Sequence, residues 1–207
     1  MKAALVVFNR MTSLDFVGFY DPVTRLRSMK IMEDFEWCIC SMTRQVVDDR
    51  GLRLEADTVA EPLDSYDMLF VPGGLGTRSL QRDKVVLDWL RTARSAPLKV
   101  SVCTGALLLG AAGFLQGRRA TTHPSAYKEL EPYCAAVVQE RVVDEGDVIT
   151  ARGVSSGLDM GLYLVQKLAG ADARDRVAAQ MDYPYRWNPH SHDVRPAAAD
   201  TKGPRDA

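Results

Sequence analysis

The stretch from Lys99 to Gly117, KVSVCTGALLLGAAGFLQG, limits what this chain can fold into more than any other. A short β-like run, Val100 to Val102, meets a cysteine and turns at once into an apolar helical segment. Val100 and Val102 alternate with Ser101, and Ala106, Leu107, Leu108, Leu109, Ala111 and Ala112 carry a helix that Gly113 ends. A side chain on such a strand-to-helix corner is exposed by a tight, strained turn, and Gly105 is expected to let the backbone bend there. Unpaired N–H groups and the helix dipole favour an anion at that place, so Cys103 should ionise more readily than a free cysteine and act as a nucleophile. The competing reading is a small buried hydrophobe at the end of a strand.

The rest of the chain alternates in the same way. Ala3 to Phe8 is a continuous aliphatic run that suits a strand buried on both faces of a parallel sheet. Ser13 is placed to cap a helix from about Leu14, with Pro22 at the next bend. Asp15 then falls in a first helical turn, either complementing the dipole or doing acid–base work. Trp37 to Met42 reads as a second strand, Val46 to Ala60 as a hairpin with Gly51 in its turn or as an irregular excursion, and Tyr66 to Val71 as a third strand. That strand ends in Pro72, Gly73, Gly74, where backbone N–H groups can face a ligand as a nest or oxyanion hole, or simply turn. The spacing and the missing lysine exclude a phosphate loop.

Val85, Val86, Trp89, Leu90 and Ala93 recur at helical spacing. Arg118 to Thr122 reads as a strand ending at His123-Pro124, Ser125 to Tyr133 as a short helix, and Val137 to Val143 with Val148 to Thr150 as a hairpin. The serines of Gly153 to Gly157 can cap a helix over 158–169, and another helix is expected over 171–181. Strands alternating with helices argue for a three-layer α/β/α sandwich with a mostly parallel central sheet, flavodoxin-like in its layering. Ligands of such folds bind beyond the carboxyl ends of the strands, where the Gly73-Gly74 turn and Cys103 would both lie.

A length of 207 residues with 46% hydrophobic content is enough for one well-buried domain, expected over 1–183. Residues 184–207 are rich in Pro, Ala and charge and read as a tail or an arm on a partner subunit. His190 and His192 in that tail make no metal site by spacing. A net charge of −1 offers no basic stripe for nucleic acid and no patch for anionic lipid, so the expected partner is a small molecule. The opening apolar run is too short for a secretory segment, and no run reaches the length of a membrane span. Cys38, Cys40, Cys103 and Cys134 lack metal-like spacing, so reduced thiols in the cytoplasm are the simplest account.

Four blocks carry a resemblance: LDFVG (Leu14 to Gly18), VPGG (Val71 to Gly74), SVCTGALLLGAAGFLQGRRATTH (Ser101 to His123) and GVSSGLDMGL (Gly153 to Leu162). Through them the chain resembles the ThiJ/PfpI branch of the class I glutamine amidotransferase-like superfamily, and within it the isonitrile (isocyanide) hydratases. The resemblance implies Cys103 as nucleophile, Asp15 as general acid and base, and Thr104 lining the pocket. Backbone N–H groups of Gly74 and Thr104 would lie near developing charge, with Gly73 beside them, and Val154 would approach the cysteine. It implies a homodimer and no cofactor or metal. Thr104 stands where peptidase-like relatives carry a histidine directly after the cysteine, and Pro124 where the hydratases carry an aromatic residue. His123 is the one histidine before residue 184, so a Cys–His pair would have to use it. Two other activities stay open: a glyoxalase or deglycase acting on 2-oxoaldehydes, whose acid is usually Glu rather than Asp, and a cysteine-based ligand or redox sensor without enzymatic turnover.

Overall fold

A computed structural model describes residues 1–186 and 195–196. In chain order its elements are β1 (Lys2–Val6), α1 (Ser13–Ser28), β2 (Glu36–Ser41), β3 (Gln45–Val47), β4 (Arg53–Glu55), β5 (Thr58–Val59), β6 (Met68–Val71), α2 (Thr77–Leu80) and α3 (Lys84–Arg91). There follow β7 (Leu98–Val102), α4 (Gly105–Ala111), β8 (Arg119–Ala120), α5 (Tyr127–Leu130), β9 (Ala136–Val137), β10 (Val142–Asp144), β11 (Val148–Ala151), α6 (Ser156–Ala169), α7 (Ala171–Gln180) and the short pair β12 (Tyr185–Arg186) and β13 (Arg195–Pro196). The remainder of the tail, with His190 and His192, lies outside the described residues.

The central sheet has seven strands in the order β10-β11-β7-β6-β1-β2-β5. Every neighbouring pair is parallel except β10 with β11. The chain runs from β1 out to β2 on one side and later returns to β6, β7 and β11 on the other. The crevice between β1 and β6 is therefore the topological switch point, the usual place for a ligand in an open α/β sheet. β6 and β7 are buried along their whole length, which is why β6 reads as an unbroken apolar run, while β7 buries Lys99 and Ser101 between its apolar residues. Helices cover the sheet in two groups, with α1, α6 and α7 packed together and α4 gathering α2, α3 and α5.

Several local readings change. Pro22 lies inside α1 rather than at a bend after it. A mid-helix proline is normally costly, but here its ring fills a notch opened by Gly161 of α6, where an added Cβ would stand 2.2 Å from Pro22 Cγ. Ser13 is the first residue of α1 and not its cap: its hydroxyl donates to Asp48 (2.6 Å), while that of Thr12 donates to Asp49 (3.0 Å). These two bonds tie the antiparallel β3–β4 hairpin to the start of α1. Neither Ser155 nor Ser156 caps α6 through its side chain, and Ser156 Oγ is buried without a partner among the described residues. The 118–122 strand shortens to β8, which pairs with β9, and the second hairpin is confined to β10 and β11.

Candidate active site

Four loops leave the carboxyl edge of the sheet side by side: residues 7–12 after β1, 72–76 after β6, 103–104 after β7 and 152–155 after β11. Cys103 is the hinge of the third. Its φ is +57°, a left-handed conformation that costs a residue with a Cβ of the order of 1–2 kcal/mol. The turn is fixed from both sides, because the Cys103 N–H donates to Ala151 O (3.0 Å) and its carbonyl accepts from Thr122 Oγ1 (2.8 Å). The strain therefore sits on Cys103 itself. Gly105 serves a different purpose from the bend expected of it: a Cβ there would lie 2.2 Å from Val71 O, so glycine lets α4 start directly against the end of β6.

Asp15 comes from the first turn of α1, yet its side chain does not face solvent as a dipole-complementing acid would. It is fully buried, with Oδ2 accepting from the Gly73 N–H (3.0 Å) and Oδ1 receiving no protein donor among the described residues. Its carboxyl lies beside the Cys103 thiol, and the interaction between them is among the influences on its acidity. The tightness of the arrangement is visible at Gly73, where an added Cβ would meet Asp15 Oδ2 and Cys103 Cβ each at 2.8 Å. Only glycine lets the turn close over the pair.

Desolvation dominates the electrostatics. Burial pushes the Asp15 carboxyl up to about 7, a rise reduced by the Cys103 and Gly73 hydrogen bonds and increased by the charge of Asp49. Burial, followed by the Asp15 charge, pushes the Cys103 thiol up to about 12, although the Thr104 N–H favours the anion. The easily ionised thiol expected from the helix N-terminus is thus overturned: one short helix does not offset burial beside a carboxyl group.

The glycine turn also differs from an oxyanion hole. The Gly73 N–H is committed to Asp15, and the Gly74 N–H donates to Thr104 Oγ1 (2.9 Å), so neither is left free for a ligand. The turn holds the acid and the threonine hydroxyl in place. Thr104 is nearly inaccessible, and its hydroxyl is further fixed by Thr77 Oγ1 (3.1 Å).

Cys103, Thr104, Gly74, Val154 and His123 together line a cleft of about 180 Å³. Thr12, Asp49, Leu75, Arg78 and Ser125 complete its wall. His123 reaches the cleft but forms no pair with the cysteine. Its Nδ1 accepts from the Ser125 N–H (3.2 Å) and meets Ser125 Oγ (2.8 Å), which leaves the proton of the neutral ring on Nε2. Burial and the nearby charges of Arg78 and Arg152 lower its pKa and keep it neutral. Sequence reasoning missed Thr12, Asp49 and Arg78. The tandem Asp48-Asp49 before Gly51 was the available signal, since an acidic hairpin turn needs donors and the start of α1 supplies two hydroxyls.

All four cysteines are free. Among the described residues no helix is long and apolar enough to cross a membrane, and no cluster of three or more His, Cys, Asp or Glu is placed to hold a metal.

The model of the DJ-1/PfpI family matches residues 1–167. The chain is 37% identical over 185 residues to the isonitrile hydratase of Pseudomonas putida, covering 88% of this chain and 78% of that protein. It is 31% identical over 157 residues to DJ-1alpha of Drosophila melanogaster, covering 75% of this chain and 70% of that one. Among solved structures, a ThiJ/PfpI family protein from Pseudomonas syringae superposes with a TM-score of 0.80 at 30% identity, over 88% of this chain and 74% of that one.

Proposed function

Because the chain belongs to the DJ-1/PfpI family, and its Asp15 and Cys103 share one buried hydrogen-bonded corner, we propose that it is a cofactor-independent lyase adding water to an isocyanide to release an N-substituted formamide. The observation that carries this reading is the Asp15 carboxyl, held at one oxygen by Gly73 and without a protein donor at the other, facing a thiol at the floor of an open cleft. The similarity to an isonitrile hydratase over most of both chains supports it.

The chemistry balances with these two groups alone. The isocyanide carbon carries both the electrophilic orbital and the lone pair that must be protonated. Asp15 as carboxylate accepts the Cys103 proton while the sulfur adds to that carbon, then passes the proton to the same carbon, giving a thioimidate R–N=CH–S. Asp15, ionised again, takes a proton from a water that attacks the thioimidate carbon, and the nitrogen receives it. Collapse of this adduct breaks the C–S bond, releases R–NH–CHO and returns a proton to the sulfur. A carboxyl with its pKa near 7 suits both directions of transfer. The cleft is small, which favours compact substrates.

The test is to incubate the purified chain with an alkyl or aryl isocyanide and follow formamide formation, with methylglyoxal in parallel. Isocyanide turnover that vanishes in Cys103→Ala and Asp15→Asn is the expected result. Consumption of methylglyoxal alone would replace it with the 2-oxoaldehyde reading, and turnover of neither with the sensor. Homodimer formation is part of the same proposal: exposed Leu14 and Val17 of α1 lie next to the hairpin that exposes Val47 and Leu52. Cytoplasmic residence fits the four free thiols.

A further inference from the structure

A second cavity of about 300 Å³ opens on the far side of the glycine turn from the cleft. Gly74 lines the cleft and Gly76 the cavity, and no residue lines both. Its interior is made by Phe8, Trp89, Leu90 and Leu108, all buried, and carries little polar surface. A space of this size and lining takes an apolar ligand in preference to ordered water.

Its mouth has one unspent charge. Arg10 stands there exposed, and its guanidinium has no hydrogen bond or ion pair among the described residues. The Arg10 backbone is pinned in a left-handed conformation (φ +61°), its N–H donating to Val47 O (2.7 Å) and its carbonyl accepting from the Gly76 N–H (3.0 Å). That fixes where the long side chain leaves the main chain. Asp83 also lines the cavity, but one of its oxygens already accepts from the Val85 and Val86 N–H groups as the cap of α3. The Asp83 carboxylate is thus committed to the start of α3, and Arg10 is the charged group at the entrance left, among the described residues, with no partner to meet a ligand.

We propose that this cavity is a binding site for a small apolar carboxylate, with the ring or chain seated against Trp89 and the carboxylate at Arg10. The site is separate from the Cys103 chemistry and does not depend on it.

Trp89 provides the readout, because its indole N–H donates to Glu61 O (2.7 Å) and holds the ring in the cavity wall. Benzoate is the probe, and benzyl alcohol at matched ionic strength is the neutral control. Benzoate should change tryptophan emission saturably, in the Cys103→Ala protein as well, and Trp89→Phe should abolish the change. Arg10→Gln should weaken benzoate about tenfold, to the level of benzyl alcohol, as loss of one charge-assisted contact implies. Val86→Phe, which fills the cavity from its half-buried edge, should abolish binding while the variant's circular dichroism and melting stay native. Absence of saturation, equal affinity in Arg10→Gln, or undiminished binding in a folded Val86→Phe protein would each overturn the assignment. So would benzoate protection of Cys103 from iodoacetamide, which would place the ligand in the cleft.

Discussion

Replacing Asp15 by Asn should stabilise the protein by an amount that grows with pH. The carboxyl is fully buried and its pKa is raised from 3.8 to about 7, mainly by desolvation. Between those values the folded chain keeps a proton that the unfolded chain has lost, so the contribution of this group to stability falls as pH rises through the window and is flat above it. Integrated at about 1.4 kcal/mol per unit, the penalty in the folded state is about 1.5 kcal/mol near pH 5 and about 4 kcal/mol near pH 8. Asn keeps an oxygen that can accept from the Gly73 N–H and carries no charge to desolvate. Urea unfolding followed by far-UV circular dichroism at both pH values should therefore show the advantage of Asp15→Asn over the parent growing by roughly 2.5 kcal/mol across that interval. The thiol, pushed up to about 12, does not titrate in this range and leaves the comparison clean. A stability difference between the two proteins that does not change with pH would refute the claim that burial governs the acid.

Cys103→Gly and Cys103→Ala should both be inactive, but the glycine variant should be the more stable by about 1 kcal/mol in urea unfolding, because only it relieves the positive φ. Gly73→Ala should abolish the proposed turnover and lower the melting temperature by several degrees, since its Cβ would lie 2.5 Å from Thr104 N as well as against Asp15 and Cys103. The rate at which iodoacetamide alkylates Cys103 should rise with an apparent pKa near 7, as Asp15 becomes able to accept the thiol proton, and Asp15→Asn should erase that rise. A profile that climbs only toward the pKa of an isolated thiol would separate the two groups functionally.

The layering of the fold was legible because β1 and β6 are buried on both faces and so appear as apolar runs, and because Cys103 ends the short β7 run abruptly where an apolar helix begins. Asp15 could be located but not interpreted. A first-turn acid that faces solvent and one turned into a buried corner look the same along the chain, and what separates them is the Gly73 N–H, which arrives from a turn 58 residues away. The contents of α1 were misread for a related reason. Pro22 reads as a stop signal, and only the notch at Gly161 makes it a packing residue. The Gly157-to-Gly161 spacing, two small residues on one face of α6, was the available clue: Gly157 also lies against the α1 backbone at Gly18 and Phe19. Thr12 and Asp49 stayed hidden because their contact depends on where the β3–β4 hairpin folds back.

The chemistry of the corner follows from desolvation acting on two groups buried side by side. Ionising the Cys103 thiol into bulk water would leave a buried anion and place it beside the Asp15 charge, which is why its pKa stands so high. Moving the same proton from sulfur to an ionised Asp15 buries no additional charge, since thiol with carboxylate and thiolate with carboxylic acid have the same total. Nucleophilicity is then available only together with an acid poised at the reacting atom. For the proposed isocyanide substrate, whose single carbon must gain both a sulfur and a hydrogen, that coupling would be of more use than a standing thiolate. A permanently ionised cysteine would attack without a proton to deliver and would also be exposed to oxidation between turnovers. The glycines at 73 and 74 matter to this argument through their own hydrogen bonds, which are spent on the acid and on Thr104 and so hold the proton's two ends at a fixed separation.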